Sequence, residues 1–285
     1  MRKILLISLA LVSSVAAYAA SPIPSSSQPV TITAAKSLEW DRKAKTYTAR
    51  QNVVATQGAA SLHSDLLVAH YDDTHGKPDI KTMEAVGHVT INSPPYTAYG
   101  DHGVYDVKTG NAVLTGKDLK IISADSTLTA KEKIVYNSSE NKMTAVGEPK
   151  AVKGEDTITA DTMSAVFAKD NTGKLTANKI TAHGHVVIIT SAQTAEGDDG
   201  VYDVSTQKAV LTGNVTLLQD KNSLNGTRAD VDMNTGISRL SGTGNAATEG
   251  RVTGTFYPQQ DKKPENSGNQ APANQGTTPQ SQGSQ

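Results

Sequence analysis

The stretch GDDGVYDVSTQKAVLTGNVTL, residues 197–217, decides the fold. Its second half alternates, apart from Val210, between apolar or small residues and polar ones, which is typical of a β-strand with one apolar face. The members of the apolar face are Ala209, Leu211, Gly213, Val215 and Leu217. Its first half alternates too, and the segment Ser205-Thr206-Gln207 between the halves has turn-forming residues. The stretch therefore predicts two antiparallel strands joined by a short turn.

The same pattern occurs elsewhere in the chain. The blocks GHV (87–89), GVYDV (103–107) and AVLTG (112–116) all return 97 positions later. A finer period of about 30 residues is marked by a glycine, with Gln51 in the first copy. The glycines at this position are Gly87, Gly116, Gly147, Gly184, Gly213 and Gly242. A repeated unit with one apolar face must stack on its neighbours to bury that face.

The glycine lies on the inward face of each predicted strand. A glycine in a strand interior weakens it and marks a bend, a bulge or a close approach of backbone or ligand. We favour a corner at which a long strand turns. Two strands in each of about seven units predict an all-β protein of roughly 14 to 16 antiparallel strands, stacked like a solenoid, with open edges at both ends.

The termini differ from this body. Arg2 and Lys3, an apolar run and a small-residue exit ending at Ala19 indicate a cleaved signal peptide over residues 1–19. Prolines and serines predict a flexible linker over 20–31, followed by the folded region 32–257. The Gln-, Asn-, Pro- and Gly-rich segment 258–285 predicts a disordered tail.

Composition narrows the function. The chain has no cysteine, which excludes disulfides, a thiol nucleophile and cysteine-ligated zinc. Its 27 basic and 28 acidic residues give no electrostatic footprint for nucleic acid. The mature protein is expected to be soluble, and no cofactor or metal is predicted.

Several polar residues have the chemistry of a site but the spacing of a structural repeat. Asp65, Asp101, Asp161 and Asp198 recur once per unit. We interpret them as strand-start or turn-capping residues rather than as a general acid–base pair. His183 and His185 are interpreted as surface imidazoles rather than metal ligands. The repeat equivalents Tyr105 and Tyr202 are expected to pack on the inward side.

The units Gly197–Leu217 and Leu224–Asp230 resemble the repeats of the OstA-like family of lipopolysaccharide-transport proteins. The resemblance covers residues 32–245 and implies a twisted, open β-jellyroll without enzymatic activity. It also implies a periplasmic bridge protein that carries lipopolysaccharide from the inner to the outer membrane. Its implied partners are lipopolysaccharide, inner- and outer-membrane transport components of similar fold, and further copies of itself joined head to tail. The folded region and the tail are longer than in compact members, which leaves room for a related module.

An acyl cargo agrees with the predicted inward face, because each buried CH₂ of a chain contributes ~0.8 kcal/mol. The predicted lipid-binding residues are Val89, Ile91, Val186, Ile188, Leu211, Val215, Leu217, Val231 and Met233. The same residues could instead fill the protein's own core. Two other functions remain open at this point: an exported β-solenoid scaffold, and a polysaccharide-binding or polysaccharide-processing protein.

Overall fold

The structure is a computed structural model that describes residues 29–73, 78–169, 175–191, 193–232, 234–235, 237–242 and 251–257. These residues form twenty strands in one sheet, and all pairings between them are antiparallel. The strands are β1 (Thr31–Thr33), β2 (Ser37–Asp41), β3 (Thr46–Gln57), β4 (Ala60–Asp72), β5 (Asp79–Ser93), β6 (Tyr96–Asp106), β7 (Asn111–Thr115), β8 (Leu119–Ile122), β9 (Ser126–Ala130), β10 (Lys133–Asn137), β11 (Lys142–Val146), β12 (Lys150–Lys153), β13 (Asp156–Thr159), β14 (Thr162–Lys169), β15 (Leu175–Ile189), β16 (Thr194–Asp203), β17 (Lys208–Gln219), β18 (Asn222–Asp232), β19 (Ile237–Ser241) and β20 (Thr253–Thr255). The predicted signal peptide, most of the linker and the tail lie outside the described residues.

The all-β class and the stacked two-strand unit are confirmed, but the expected count of 14 to 16 strands is too low. In the middle of the chain the bend divides each long strand into two short ones. β7 and β8, for example, occupy the two halves of one repeat strand on either side of Gly116. The repeat therefore fixes the number of bent segments that stack on one another. The local backbone at each bend decides whether a segment forms one long strand or two short ones.

The bent strands build two faces that share one interior. Face 1 runs from β1 to β20. It contains β8, β9, β12 and β13, together with the half of each long strand that lies on the same side of the bend. Face 2 runs from β2 through β7, β10, β11 and β14 to β19. The faces wrap the core more closely than the expected open jellyroll, in the manner of a barrel, because every long strand belongs to both. Along the stack, no pairing among the described strands joins β1 or β2 to β19 or β20.

The glycine position is a corner, as the sequence predicts. Gly184 has φ +75° and His185 has φ +47°, and the pairing of β15 with β16 shifts register there. A Cβ on Gly184 would lie 2.1 Å from Oδ2 of Asp161, so no side chain fits at this place. Gly87 and Gly213 have the same left-handed backbone and meet Asp65 and Asp198 in the same way.

The turns on face 2 are closed by a repeated side-chain contact. A carboxylate or amide at the end of one strand accepts a hydrogen bond from a backbone N–H three residues later, a local side-chain-to-backbone contact that Asp and Asn favour in turns. Oδ1 of Asp106 accepts from Thr109 N at 2.8 Å, and Oδ1 of Asp203 accepts from Thr206 N at 2.9 Å. These contacts lower the pKa of both carboxyls, for Asp106 mainly through the Thr109 N–H and for Asp203 mainly through the Ser205 hydroxyl.

The interior contains two buried apolar clusters. One lies under the first half of the sheet and includes Val53, Leu67, Val89 and Leu119, each at most 2% exposed. The other lies under the second half. Its larger members are Met163, Val186, Ile188, Leu211, Val215, Leu217 and Val231. No helix among the described residues is long and apolar enough to cross a membrane.

Candidate ligand-binding cleft

Two adjoining cavities lie between the faces. The first has a volume of about 150 Å³ and the second about 230 Å³. They meet at a shared wall formed by Ile91, Ala98, Ile121, Tyr136 and Met143. The first cavity extends toward β1 and the second toward β15. The two together form a cleft along the middle of the molecule, which we call the central cleft.

The wall on face 1 is aliphatic because apolar residues stand opposite each other on neighbouring strands. Residues that stand directly opposite each other on neighbouring strands point to the same side. Ile91 pairs with Ala98, Ala98 with Ile121, and Ile121 with Leu128. This row therefore crosses face 1 as a continuous strip of inward apolar side chains that can contact an apolar ligand without any polar partner.

Two residues nearer the turns on each strand, the next inward side chains of face 1 are polar. We call these residues the polar lip of the second cavity. They are Ser93, Tyr96, Ser123, Ser126, Lys153 and Asp156. The hydroxyls of Ser123 and Ser126 lie 2.6 Å apart, and Lys153 Nζ forms an ion pair with Asp125 at 3.3 Å. The central cleft is thus amphipathic, with an apolar interior and a hydrogen-bonding margin.

Face 2 contributes an aromatic margin instead. Tyr105 and Tyr136 both lie against Ala112, their partner on β7. Both line the first cavity, and Phe167 lines the second. Burial raises the pKa of Tyr105 and of its repeat equivalent Tyr202, so both phenols stay protonated and neutral well above neutral pH. The inward packing expected for these two tyrosines is confirmed.

Tyr96 has an unusual hydroxyl. Its oxygen is buried and has no hydrogen-bond partner among the described residues. Desolvation, together with the nearby Asp125 carboxylate, raises the pKa of this phenol. Buried hydroxyls are nearly always paired, so an unpaired one at the edge of a cavity is informative.

The structure places eight of the nine predicted lipid-binding residues inside the sheet, and Met233 lies outside the described residues. Ile91 lines both cavities. The other seven are buried in the two apolar clusters, each at most 8% exposed. They are Val89, Val186, Ile188, Leu211, Val215, Leu217 and Val231. Sequence reasoning missed the cavity residues between β8 and β14, although Ile121, Leu128 and Ile158 alternate with the same period of two.

The recurrent aspartates stand at the bends. Asp161 directly precedes β14, but Asp65, Asp101 and Asp198 lie inside β4, β6 and β16 rather than at the strand start or turn that the spacing predicts. Oδ2 of Asp161 lies 2.9 Å from Nδ1 of His185, and Oδ2 of Asp65 lies 2.7 Å from Nδ1 of His88. The hydrogen bond to Asp65 raises the pKa of His88. His183 bonds Asp199, which raises its pKa as well. All three imidazoles are at least 78% exposed, and no cluster of three or more candidate ligands for a metal is found in the described ranges.

The stacked antiparallel sheet, with an apolar cleft between its two faces, places this chain in the class of all-β repeat proteins. The model of one such family, described as LptA/(LptD N-terminal domain) LPS transport protein, matches residues 31–142 and 132–237. The chain belongs to this family of lipopolysaccharide-transport proteins, which confirms the resemblance seen in the repeats.

Two individual proteins are similar to parts of the chain. An uncharacterized protein of Rhizobium meliloti (strain 1021) is 31% identical over 137 residues, which cover 46% of this chain and 70% of that protein. The solved structure of LptH, the LptA homologous periplasmic component of the lipopolysaccharide transport device of Pseudomonas aeruginosa, is 19% identical. The alignment covers 57% of this chain and 96% of the LptH chain, with a TM-score of 0.26.

Proposed function

We propose that this protein binds lipopolysaccharide through its acyl chains in the central cleft and carries it across the periplasm as one segment of a bridge between the two membranes. The observation that carries the proposal is the pair of adjoining cavities of about 150 and 230 Å³ with an aliphatic wall. Membership in a family of lipopolysaccharide-transport proteins supports the nature of the cargo.

The size of the cleft suits acyl segments. A dry apolar cavity of about 150 Å³ is large enough to hold a molecule such as benzene. Each CH₂ that leaves water contributes ~0.8 kcal/mol, so a few carbons in each cavity supply substantial affinity without a polar site. We propose that chains first contact Ile91 and its neighbours. The buried residues Val89, Val186, Ile188, Leu211, Val215, Leu217 and Val231 would face a chain when the two faces separate.

The ends of the sheet support head-to-tail assembly. Among the described residues, face 1 consists of fourteen strands or strand halves from β1 to β20, each antiparallel to the next. Because fourteen is an even number, the two edge strands run in opposite directions. A second copy placed in the same orientation would therefore continue the antiparallel ladder. Both ends also expose apolar side chains: Leu38 is 61% exposed on β2, and Ile237 is 62% exposed on β19. Such unpaired edges recruit further strands.

The location and the absence of an enzymatic reaction are also part of the proposal. The charged start and apolar run of residues 1–19 support export to the periplasm. The carboxylates at the bends are exposed and used as corner contacts, so a non-enzymatic carrier fits them better than a hydrolase does. Inner- and outer-membrane transport components of similar fold are the proposed partners at the two edges.

The proposal is tested by displacement of a fluorescent fatty acid from the purified, delipidated protein. We expect purified lipopolysaccharide to displace the fluorophore and a soluble polysaccharide without acyl chains to leave it bound. Displacement by the soluble polysaccharide alone would favour a polysaccharide-binding protein. No binding of the fluorophore at all would favour a scaffold with a filled core.

A further inference from the structure

One hydroxyl of the polar lip, that of Tyr96, has hydrogen-bonding capacity that the described residues do not use. The Tyr96 hydroxyl is buried without a partner, although Tyr96 lines the same cavity as Ser93, Ser123 and Ser126. A buried hydroxyl left unpaired destabilises the fold by an amount comparable to a lost hydrogen bond. A phenylalanine would fill the same volume without that cost.

We infer that Tyr96 is a ligand-binding residue whose hydroxyl completes its hydrogen bond on the polar part of the bound amphiphile, and that this part is an uncharged, hydroxyl-bearing saccharide. The inference rests on the proposed function, because it assumes an acyl chain in the second cavity. It adds a residue, Tyr96, that contacts the saccharide part of the cargo.

The charges at the polar lip favour a neutral sugar over an anionic group. Lys153 is the one cation among the described residues that line the second cavity, and its ammonium already pairs with Asp125 at 3.3 Å. Asp156 adds a second carboxylate on the next turn. An anion placed here would meet two negative charges and one lysine, whereas sugar hydroxyls can both donate to the carboxylates and accept from the tyrosine.

The geometry of the turns places these groups on one side of the cleft. Ser93 pairs directly with Tyr96, and Ser126 pairs with Lys153, so the groups come from three neighbouring turns of face 1. The next residues inward from the lip on these strands, Ala98 and Leu128, are apolar. A hydroxylated head over the polar lip therefore leaves its chain pointing into the cavity.

The experiment compares two detergents with the same octyl chain, used below their micelle-forming concentrations. Octyl glucoside offers sugar hydroxyls, and octyl tetraoxyethylene ether offers mainly ether oxygens. For the wild-type chain we expect octyl glucoside to displace a bound fluorescent fatty acid at a concentration roughly 3- to 10-fold lower. Tyr96→Phe should abolish this preference, chiefly by weakening displacement by octyl glucoside. Ser139→Ala, at an exposed turn of face 2, should keep the preference.

Thermal stability separates a ligand-binding hydroxyl from a structural one. Without amphiphile, Tyr96→Phe should raise Tm by about 2 to 4 °C, since it removes a buried unpaired group. A lowered Tm, or a sugar preference that survives in Tyr96→Phe, would overturn the inference. If the ether and the glucoside displace the fluorophore equally from the wild type, the inference fails while the proposed function stands. If neither displaces it, the proposed function fails too.

Discussion

Replacement of the corner glycine Gly184 by alanine tests the physical account of the bends. Gly184 has φ +75°, a conformation that costs an L-residue about 1–2 kcal/mol. The new Cβ would also lie 2.1 Å from Oδ2 and 2.7 Å from Cγ of Asp161. The carboxylate must move, and its contact with His185, worth at most about 1 kcal/mol at this exposed site, is lost. We expect a total loss of about 2–4 kcal/mol, or several degrees of Tm.

The chain offers a matched control for this prediction. Gly154 has a left-handed φ of +58°, but a Cβ there would meet nothing within 4 Å. Gly154→Ala should therefore show the backbone cost alone, about 1–2 kcal/mol. In the double variant Gly184→Ala with Asp161→Ala, the clash with the carboxylate is gone, so the two effects should be less than additive. Chemical denaturation of five proteins measures this: the wild type, the two glycine variants, Asp161→Ala and the double variant. If Gly184→Ala loses no more stability than Gly154→Ala, the proposed role of Asp161 in fixing the corner is wrong.

Three further predictions concern pH, the core and the cleft. The contact that raises the pKa of His88 stabilises the fold fully below pH 6.5, and this stability is lost as pH rises through the raised pKa. The contacts that lower the pKa of Asp203 stabilise the fold above pH 3.8, and this stability is lost as pH falls through the lowered pKa. Tm measured across pH should therefore decline on both the acid and the alkaline side. Leu119→Ala should cost about 2–5 kcal/mol in a denaturation experiment, because the side chain is 1% exposed, while Leu38→Ala, at 61% exposure, should change stability by less than about 0.5 kcal/mol. Ile121→Trp should fill the wall shared by both cavities and lower fatty-acid affinity by roughly tenfold or more in a fluorescence titration.

The predictions for pH, core and cleft each have a control and a result that would contradict them. In His88→Ala the decline on the alkaline side should become shallower, and an unchanged profile would remove the imidazole from the account. Equal losses for Leu119→Ala and Leu38→Ala would contradict the position of the first apolar cluster. Val86→Trp adds the same ring on the outward face of β5, where the native side chain is 36% exposed. Undiminished binding in Ile121→Trp, or equal loss in Val86→Trp, would argue against the central cleft as the binding site.

Much of the fold could be predicted because local chemistry decides it. Alternation with period two assigns each residue to a face, and a glycine recurs at corners where a Cβ would strike a carboxylate such as Asp161 or Asp65. Gln51, with φ +69°, takes this place at the first corner. Both signals are local and are read from a single unit. The same reasoning places His185 outward, where it bonds the corner carboxylate.

The cleft itself could not be predicted in this way. Period two shows that Val186 and Ile91 both point inward, but it does not give the distance between the two faces. Val186 is 1% exposed in a closed cluster, whereas Ile91 borders open space. Whether an inward residue meets protein or cavity depends on side-chain volumes contributed from the opposite face. For the same reason the sequence gives no sign that the hydroxyl of Tyr96 lacks a partner.

The most direct test of the central claim is photo-crosslinking in cells from a probe amino acid placed in the cleft. Ile91 lines both cavities, and its neighbour Asn92 is exposed on the outward face of the same strand. We expect lipopolysaccharide adducts from position 91 and none from position 92. Adducts from position 92 alone, or from neither position in a correctly exported protein, would contradict an acyl-binding cleft.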